Sequence, residues 1–365
     1  MIMKIVVIGS VAAGTSVAAK ARRNSEVDEI VVYEKGQDIS YSVCGMPYYV
    51  GGEVEDLETL IPRDAAWFKK RFNVDIMTGI EVISIDENQQ ALVLKNLETG
   101  ELLEDYYDRL VLATGATPRI IAPFDEAYQN VFTMHNMVDT RAIDAYLQHQ
   151  SVQNVTIFGT GYVGLEMMEQ FQKRGLDVTL VQRSAQIMTH FDGDMAYRAE
   201  QVIRANGVHV LKSVTAKQVT AQDGVVSAVE LSNQTTIQTD LVLLALGVEP
   251  QTQLVDHMKI AKGPSGALKV DQQMLTTVPN IYAVGDVVES FSIIDGSPLY
   301  RPMGSTANKM GRIAGDSLTG GGLTHRGILG TGIVRLFDTT IAQTGFTEAV
   351  ARAKGYDVEV LYNIK

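Results

Sequence analysis

One cysteine, Cys44, stands in 365 residues, so no internal disulfide can form and nothing in the chain calls for an oxidising compartment. Positive charge is also short: 31 lysines and arginines against 43 aspartates and glutamates leave a net charge of −12. That balance lacks the basic footprint that binding to a phosphate backbone requires, which argues against a nucleic-acid partner. No apolar run approaches the roughly 18 residues of a membrane span. The one near the N-terminus, residues 5–9, is strand-sized, and no signal peptide is expected. The six histidines are scattered without HxxxH spacing and no cysteine cluster can join them, so no metal site is expected. These absences make a cytoplasmic protein, with neither nucleic acid nor membrane as partner, the default.

What is present is a globular composition, 45% apolar and 20% charged, in a chain long enough for two or three domains. KIVVIG at residues 4–9 is a β-rich run ending on glycine. A helix over 15–23 and a strand over 29–33, ending at Glu34, complete a βαβ unit of about 30 residues. The plan recurs as VTIFG at 155–159, a helix through Arg174 and a strand over 177–181. Two copies about 150 residues apart predict two mononucleotide-binding sheets, not a solenoid, whose period is far shorter. Between them, 82–85 and 91–95 predict a hairpin, and 109–113 a strand running into Thr114-Gly115. The strand 240–245 runs into Leu246-Gly247, and 280–284 into Gly285-Asp286, before a helix over 303–316. Past the glycine cluster 320–322, the sequence predicts a hairpin (332–346), a helix (347–355) and a strand (358–362). This last piece, about 40 residues, is too small for a core of its own. It reads as the opening of a third domain, cut short.

GTGYVG at 159–164 is a complete GxGxxG between a strand and a helix. Its first glycine permits the tight turn, its second lets a pyrophosphate approach the backbone, and its third lets helix and strand pack closely. The acid that would hold a free ribose 2′-hydroxyl after the next strand is replaced by Gln182 and Arg183, which favours a 2′-phosphate and hence NADPH, or a site accepting NADPH or NADH. The N-terminal copy, GSVAAG at 9–14, has valine in place of the second glycine. Glu34, 20 residues after Gly14, supplies the ribose carboxylate that belongs with it. Two dinucleotide sites in one chain mean two nicotinamides, or one flavin with one nicotinamide. The second is the chemically sensible pair, because a flavin accepts hydride and passes electrons on.

LATGATPR (112–119), ALGVEPQT (245–252) and TTVPNIYAVGD (276–286) resemble the strand-end signatures of the pyridine nucleotide-disulfide oxidoreductases, in that family's order. The resemblance implies FAD and NAD(P)H as cofactors, with Asp286 at the ribityl–pyrophosphate region. It implies an α/β fold: two Rossmann-like dinucleotide-binding domains, for FAD and NAD(P)H, plus a truncated C-terminal α+β interface domain. The expected boundaries are 1–120 with 246–322 for a discontinuous FAD-binding domain, 121–245 for NAD(P)H, and 323–365 for the start of an incomplete dimerisation domain. The cofactor-binding set expected from motifs and resemblance is Gly9, Val11, Ala12, Ala13, Gly14, Glu34, Lys35, Thr114, Gly115, Gly159, Gly161, Tyr162, Val163, Gly164, Glu166, Gln182, Arg183, Gly247, Gly285, Asp286 and Ala307.

Family members such as glutathione reductase carry a CxxxxC pair beside the flavin, whereas SYSVCGMPYYVGG (40–52) offers Cys44 alone. Its oxidised partner must come from outside, as a mixed disulfide, a sulfenic acid or a persulfide. Cys44 precedes a short helix entered through Pro47, a placement expected to favour the thiolate. The stretch resembles the single-cysteine subgroup of coenzyme A-disulfide reductases, flavin NADH oxidases and peroxidases, and persulfide reductases. The histidine of the oxidase and peroxidase loop falls on Ala12 here, and GSVAAG looks like the coenzyme A-disulfide reductase version. By that resemblance Ser16, Lys20 and Arg23, on one face of the first helix, together with Ser40, Val43 and Arg71, meet coenzyme A. Lys309 and Arg312 are read as surface or flavin-proximal residues, and Trp67 and Phe68 as core or domain-contact residues. The expected activity is NAD(P)H-dependent reduction of coenzyme A disulfide at Cys44. The alternatives are an oxidase, peroxidase or persulfide reductase and, in another class, a truncated non-catalytic flavoprotein or redox-responsive binding module. Relatives are expected to pair as homodimers through a complete interface domain, which here stops at Lys365.

Overall fold

The computed structural model describes residues 2–125 and 127–363. The chain opens with β1 (Lys4–Ile8), α1 (Ala12–Asn24) and β2 (Glu29–Glu34), then α2 (Met46–Val50), α3 (Ala65–Phe72) and β3 (Asp75–Thr78). A meander of β4 (Ile80–Asp86), β5 (Ala91–Asn96) and β6 (Leu102–Tyr106) leads to β7 (Arg109–Leu112) and β8 (Ala116–Pro118). The second nucleotide plan is β9 (Val131–Phe132), α4 (Met137–His149), β10 (Asn154–Phe158), α5 (Tyr162–Lys173), β11 (Asp177–Gln182), α6 (Gly193–Ala205) and β12 (His209–Lys212). It continues through β13 (Ala216–Gln222), β14 (Val225–Leu231), β15 (Thr236–Gln238) and β16 (Leu241–Leu244). After β17 (Val248–Pro250) come β18 (Ile281–Ala283), β19 (Ser290–Phe291), β20 (Pro298–Leu299) and α7 (Gly304–Leu318). The hairpin β21 (Gly332–Leu336)–β22 (Thr339–Gln343) and α8 (Glu348–Ala353) complete the elements used below.

The chain forms two compact units. The first holds Met1–Val43, Leu57–Thr117 and Glu249–Ile328. Its parallel sheet runs β18-β7-β1-β2-β3, with α1 and α7 packed on each other. Because helices and loops cover the sheet, β1 and β7 are apolar runs without alternation, and Val6, Val7, Leu110 and Val111 are fully buried. The second unit holds Cys44–Asp56, Pro118–Val248 and Leu329–Lys365. Its sheet runs β12-β11-β10-β16-β9, with Phe158, Val181, Val242 and Leu244 in its core. Both sheets are Rossmann-like, as the paired βαβ patterns predict.

The boundaries differ from the sequence-based ones in two places. Residues 44–56 join the second unit, because α2 packs on α4 and α5. The hairpin β21–β22 groups with it too: Phe337 N donates to the buried Glu169 Oε2 at 2.8 Å, and Glu348 N to Asp192 Oδ1 at 2.8 Å. The strand expected over 358–362 does not form among the described residues. A strand needs a neighbour to take its N–H and C=O groups, and no described strand lies beside it. No described helix is long and apolar enough to cross a membrane.

Candidate active site

In the first sheet Ile8 pairs with Leu112, and Leu112 with Ala283, so the carboxyl ends of β1, β7 and β18 lie side by side. The segments leaving them, 9–14, Thr114–Gly115 and Gly285–Asp286, therefore meet at the switch point where open α/β sheets bind nucleotides. Ala13 and Ala307 close in on the same place: a Cβ added at Gly285 would lie 3.0 and 3.6 Å from theirs. Val11 is the N-cap of α1, which has no side-chain cap and no acid in its first turn, with Ala12, Ala13 and Gly14 forming its start. Its free N–H groups remain for an anion, whereas α3 and α4 are capped by Asp64 and Asn136. Glu34 stands at the end of β2, where its Oε2 accepts from Ser10 N and Oγ, each at 2.9 Å, and its Oε1 from Gly36 N at 2.8 Å. The carboxylate thus ties the strand end to the loop 9–14. Lys35 beside it is exposed. Thr114 Oγ1 donates to Gln251 O at 2.8 Å, a structural use, and open space surrounds Gly115. Tyr300 Oη holds the Asp286 carbonyl at 2.7 Å. Uncapped N–H groups, an acid at the strand end and open glycine backbone fit the ADP half of FAD.

The second loop repeats this geometry. Gly159 has φ +105°, and a Cβ there would lie 2.2 Å from the Ala245 carbonyl oxygen. Gly164 packs against the Gly159 carbonyl. Gly161, the N-cap of α5, has nothing within 4 Å of an added Cβ. That gap at an uncapped helix start is the cradle a pyrophosphate requires. Val163 is exposed and Tyr162 packs closely on Gly332 of β21. Gln182 ends β11, Arg183 after it is exposed, and Gly247 follows β16 with open space around it. All three sit at the carboxyl edge, since Phe158 pairs with both Val181 and Leu244. The residues fit a nicotinamide dinucleotide.

Cys44 lies exposed in a 3-10 turn, Val43–Gly45, that enters α2. The expected lowering of its thiol does not occur. The packed protein on its inner side and the charge of Glu166 push the thiol up, and only a backbone hydrogen bond acts the other way. The physical reason is that α2 is too short, at five residues, for its dipole to outweigh a carboxylate and lost hydration. Glu166, half-buried on α5, is itself pushed up to about 7 by burial and the neighbouring Glu169, against the pull of Arg335. Sequence reasoning missed the surrounding network. Arg335 of β21 lies 4.8 Å from the Tyr48 ring centroid and bonds Glu53 at 2.6 Å and Glu169 at 3.1 Å. The Glu169–Lys173 pair was legible as an i,i+4 spacing. The Arg335–Glu53 pair, 282 residues apart, had no local signal.

The expected coenzyme A residues of the first unit divide. Ser16 Oγ donates to Asn308 at 2.6 Å and Lys20 pairs with Asp316 at 2.9 Å, so both are tied to α7. Arg23 and Arg71 lie over the Phe72 ring at 5.4 and 5.3 Å. Arg63, unnoticed in the sequence, lies over Trp67 at 4.8 Å. Trp67 is only half-buried, unlike Phe68, so α1 and α3 bear a face of arginines and aromatic rings. Ser40 has φ 51° and donates its N–H to Ser10 O at 3.1 Å; Val43 is exposed directly before Cys44. Lys309 and Arg312 are exposed on α7.

Residues 3–309 match the family described as pyridine nucleotide-disulphide oxidoreductase. The chain is 32% identical over 345 residues to a coenzyme A disulfide reductase of Staphylococcus haemolyticus, covering 94% of this chain and 76% of that one. It is 32% identical over 360 residues to an NAD(P)H coenzyme A polysulfide/persulfide reductase of Pyrococcus horikoshii, covering 98% and 79%. The crystal structure of reduced Bacillus anthracis CoADR-RHD superposes with a TM-score of 0.94 at 34% identity, covering 98% of this chain. The chain spans 64% of that structure's length. Two nucleotide-binding sheets in the expected order, a lone thiol and these likenesses agree: the chain belongs to the pyridine nucleotide-disulphide oxidoreductases.

Proposed function

We propose that the chain reduces coenzyme A disulfide, or a related low-molecular-weight disulfide, at Cys44, with electrons drawn from NAD(P)H through FAD. The observation that carries this reading is the exposed thiol of Cys44 in a chain with no second cysteine. Residues 9–14, Glu34, Gly115, Gly285 and Asp286 hold FAD, and residues 159–164 with Gln182 and Arg183 hold the nicotinamide cofactor, preferably NADPH. Bound together, the cofactors supply the electron pair that reopens a mixed disulfide. Cys44 does the rest: its thiolate attacks one sulfur of the substrate, a Cys44–sulfur bond forms as the S–S bond breaks, and the other half leaves as a thiolate that takes a proton from solvent. Ser16, Lys20, Arg23, Arg71, Ser40 and Val43 receive the coenzyme A moiety, whose phosphates and purine suit the arginine–aromatic face of α1 and α3. The same reading places the protein in the cytoplasm, where small thiols are kept reduced, and pairs it as a homodimer.

Cys44→Ser tests this. It keeps the yellow flavin spectrum but loses NAD(P)H-dependent coenzyme A disulfide reduction by about a hundredfold or more. Turnover equal to the wild type's sinks the reading.

A further inference from the structure

Cys44 lies in the turn that enters α2, and α2, at five residues, is too short to stand as a helix without support. The segment folds back on itself: the Tyr48 carbonyl accepts from Glu53 N at 2.8 Å and Val54 N at 3.1 Å, and the Pro47 carbonyl from Gly51 N at 2.9 Å. Met46, Pro47 and Val50 are buried, and at Gly51 the Gln170 amide of α5 fills the space a Cβ would need. Four charges then tie the segment to α5 and β21. Arg335 Nη2 lies 2.6 Å from Glu53 Oε1 and 3.1 Å from Glu169 Oε1, and Lys173 Nζ lies 2.8 and 2.7 Å from the same two oxygens. Each cation bridges both carboxylates, and the charges cancel. Gln170 Nε2 adds a hydrogen bond to Glu53 Oε1 at 3.1 Å. Glu169 is 1% exposed, and its other oxygen takes the Phe337 N–H at 2.8 Å. An isolated surface pair contributes little. Here the buried Glu169 already orders both cations, so Glu53 meets a preformed site. Burial works to raise the Glu53 carboxyl, but hydrogen bonds from Lys173, Arg335 and Gln170 hold it at about 2, so it stays ionised at neutral pH.

We propose that Arg335 and Glu53 are positioning residues for Cys44, Arg335 clamping the segment 44–54 onto α5 through Glu53 and through the Tyr48 ring. The role in turnover rests on the disulfide-reductase reading. Of the four charged groups only Glu53 belongs to the thiol's own segment, and its backbone N–H is bonded to the Tyr48 carbonyl, one turn beyond Cys44. The Arg335 guanidinium grips the same turn a second time, 4.8 Å from the Tyr48 ring centroid. Release of Glu53 therefore loosens α2 as a unit, and the sulfur moves with it. Thiol–disulfide exchange needs the attacking sulfur held in line with the bond it breaks, so a thiol free to wander loses rate without losing its chemistry. Removal of Arg335 leaves Lys173 to neutralise the buried Glu169, which keeps the fold while opening the clamp.

The test uses the full chain loaded with FAD. In Arg335→Gln the amides of Gly51, Glu53 and Val54 exchange hydrogen about tenfold faster, while those of β10 keep their wild-type rates. The kcat for coenzyme A disulfide falls about tenfold, with KM for NAD(P)H within twofold of the wild type's. Reduction of ferricyanide, which takes electrons from the flavin without the thiol, is unchanged. Arg335→Lys, which keeps the charge without the planar fork, recovers part of both losses. Glu53→Gln repeats the pattern, and the double variant falls no further than Arg335→Gln alone, because both act through one contact. Wild-type exchange at the three amides overturns the proposal, as does an equal fall in disulfide and ferricyanide reduction, which marks a merely structural role. The reductase reading fails differently: Cys44→Ser then retains turnover, and the exchange rates still decide whether Arg335 holds the segment.

Discussion

Two glycines two residues apart in the second phosphate loop are expected to respond oppositely to alanine. At Gly159 the backbone has φ +105°, outside the wells open to an L side chain, which costs about 1–3 kcal/mol. The added methyl would also meet the Ala245 carbonyl oxygen at 2.2 Å, and that atom belongs to backbone at the end of β16. It cannot rotate away, so the strand must shift. A total of at least about 3 kcal/mol follows, or a fall in melting temperature of roughly 6–12 °C for a unit of this size. At Gly161 an added methyl meets nothing within 4 Å and φ is −76°, so stability changes by less than about 0.5 kcal/mol. The methyl instead occupies the approach to the α5 N-terminus, and NAD(P)H affinity falls about tenfold or more. Calorimetric melting of the two variants and titration with NADPH and NADH separate the effects. A Gly161→Ala variant that binds both nucleotides as the wild type does, or a Gly159→Ala variant that melts within 2 °C of it, refutes this division of roles.

Arg183→Ala is expected to raise KM for NADPH about fivefold while leaving NADH nearly unchanged, because one exposed cation near a 2′-phosphate contributes about 1 kcal/mol; an unaltered ratio of the two KM values argues against the NADPH preference. Asp316 is held at about 2, below its ordinary 3.8, by Lys20, the Leu323 N–H and Asn24. Its folded-state value is the lower one, so its contribution to stability is complete above the ordinary value and is lost as pH falls toward about 2. Asp316→Asn should therefore flatten the acid limb of the stability curve between those two values, and parallel limbs in the two proteins refute the assignment.

Much of this arrangement was legible because its causes are local. GTGYVG, GSVAAG and the apolar runs before them specify turn, strand and helix within a few residues, and both loops fold as those patterns require. The lone cysteine was equally plain. The thiol's environment was not. Helix-end reasoning took account of Pro47 and the short helix, which lie beside Cys44, but not of the burial that raises the thiol, nor of Glu166, 122 residues away, whose charge raises it further. The packing of the C-terminal residues was non-local in the same way. Their hairpin and helix were readable from turn and capping residues, but not their attachment to the second unit through Glu53, Glu169 and Asp192.

The sequence by itself determined two nucleotide-binding sheets, their order, and a thiol with no internal partner. Backbone conformation, helix starts and residue counts depend on neighbours along the chain. Tertiary structure alone decided which charges surround Cys44 and which segments share a core. Coulomb interactions and hydration follow distance in space, and Glu53, Glu166 and Arg335 become neighbours only once α2, α5 and β21 have packed.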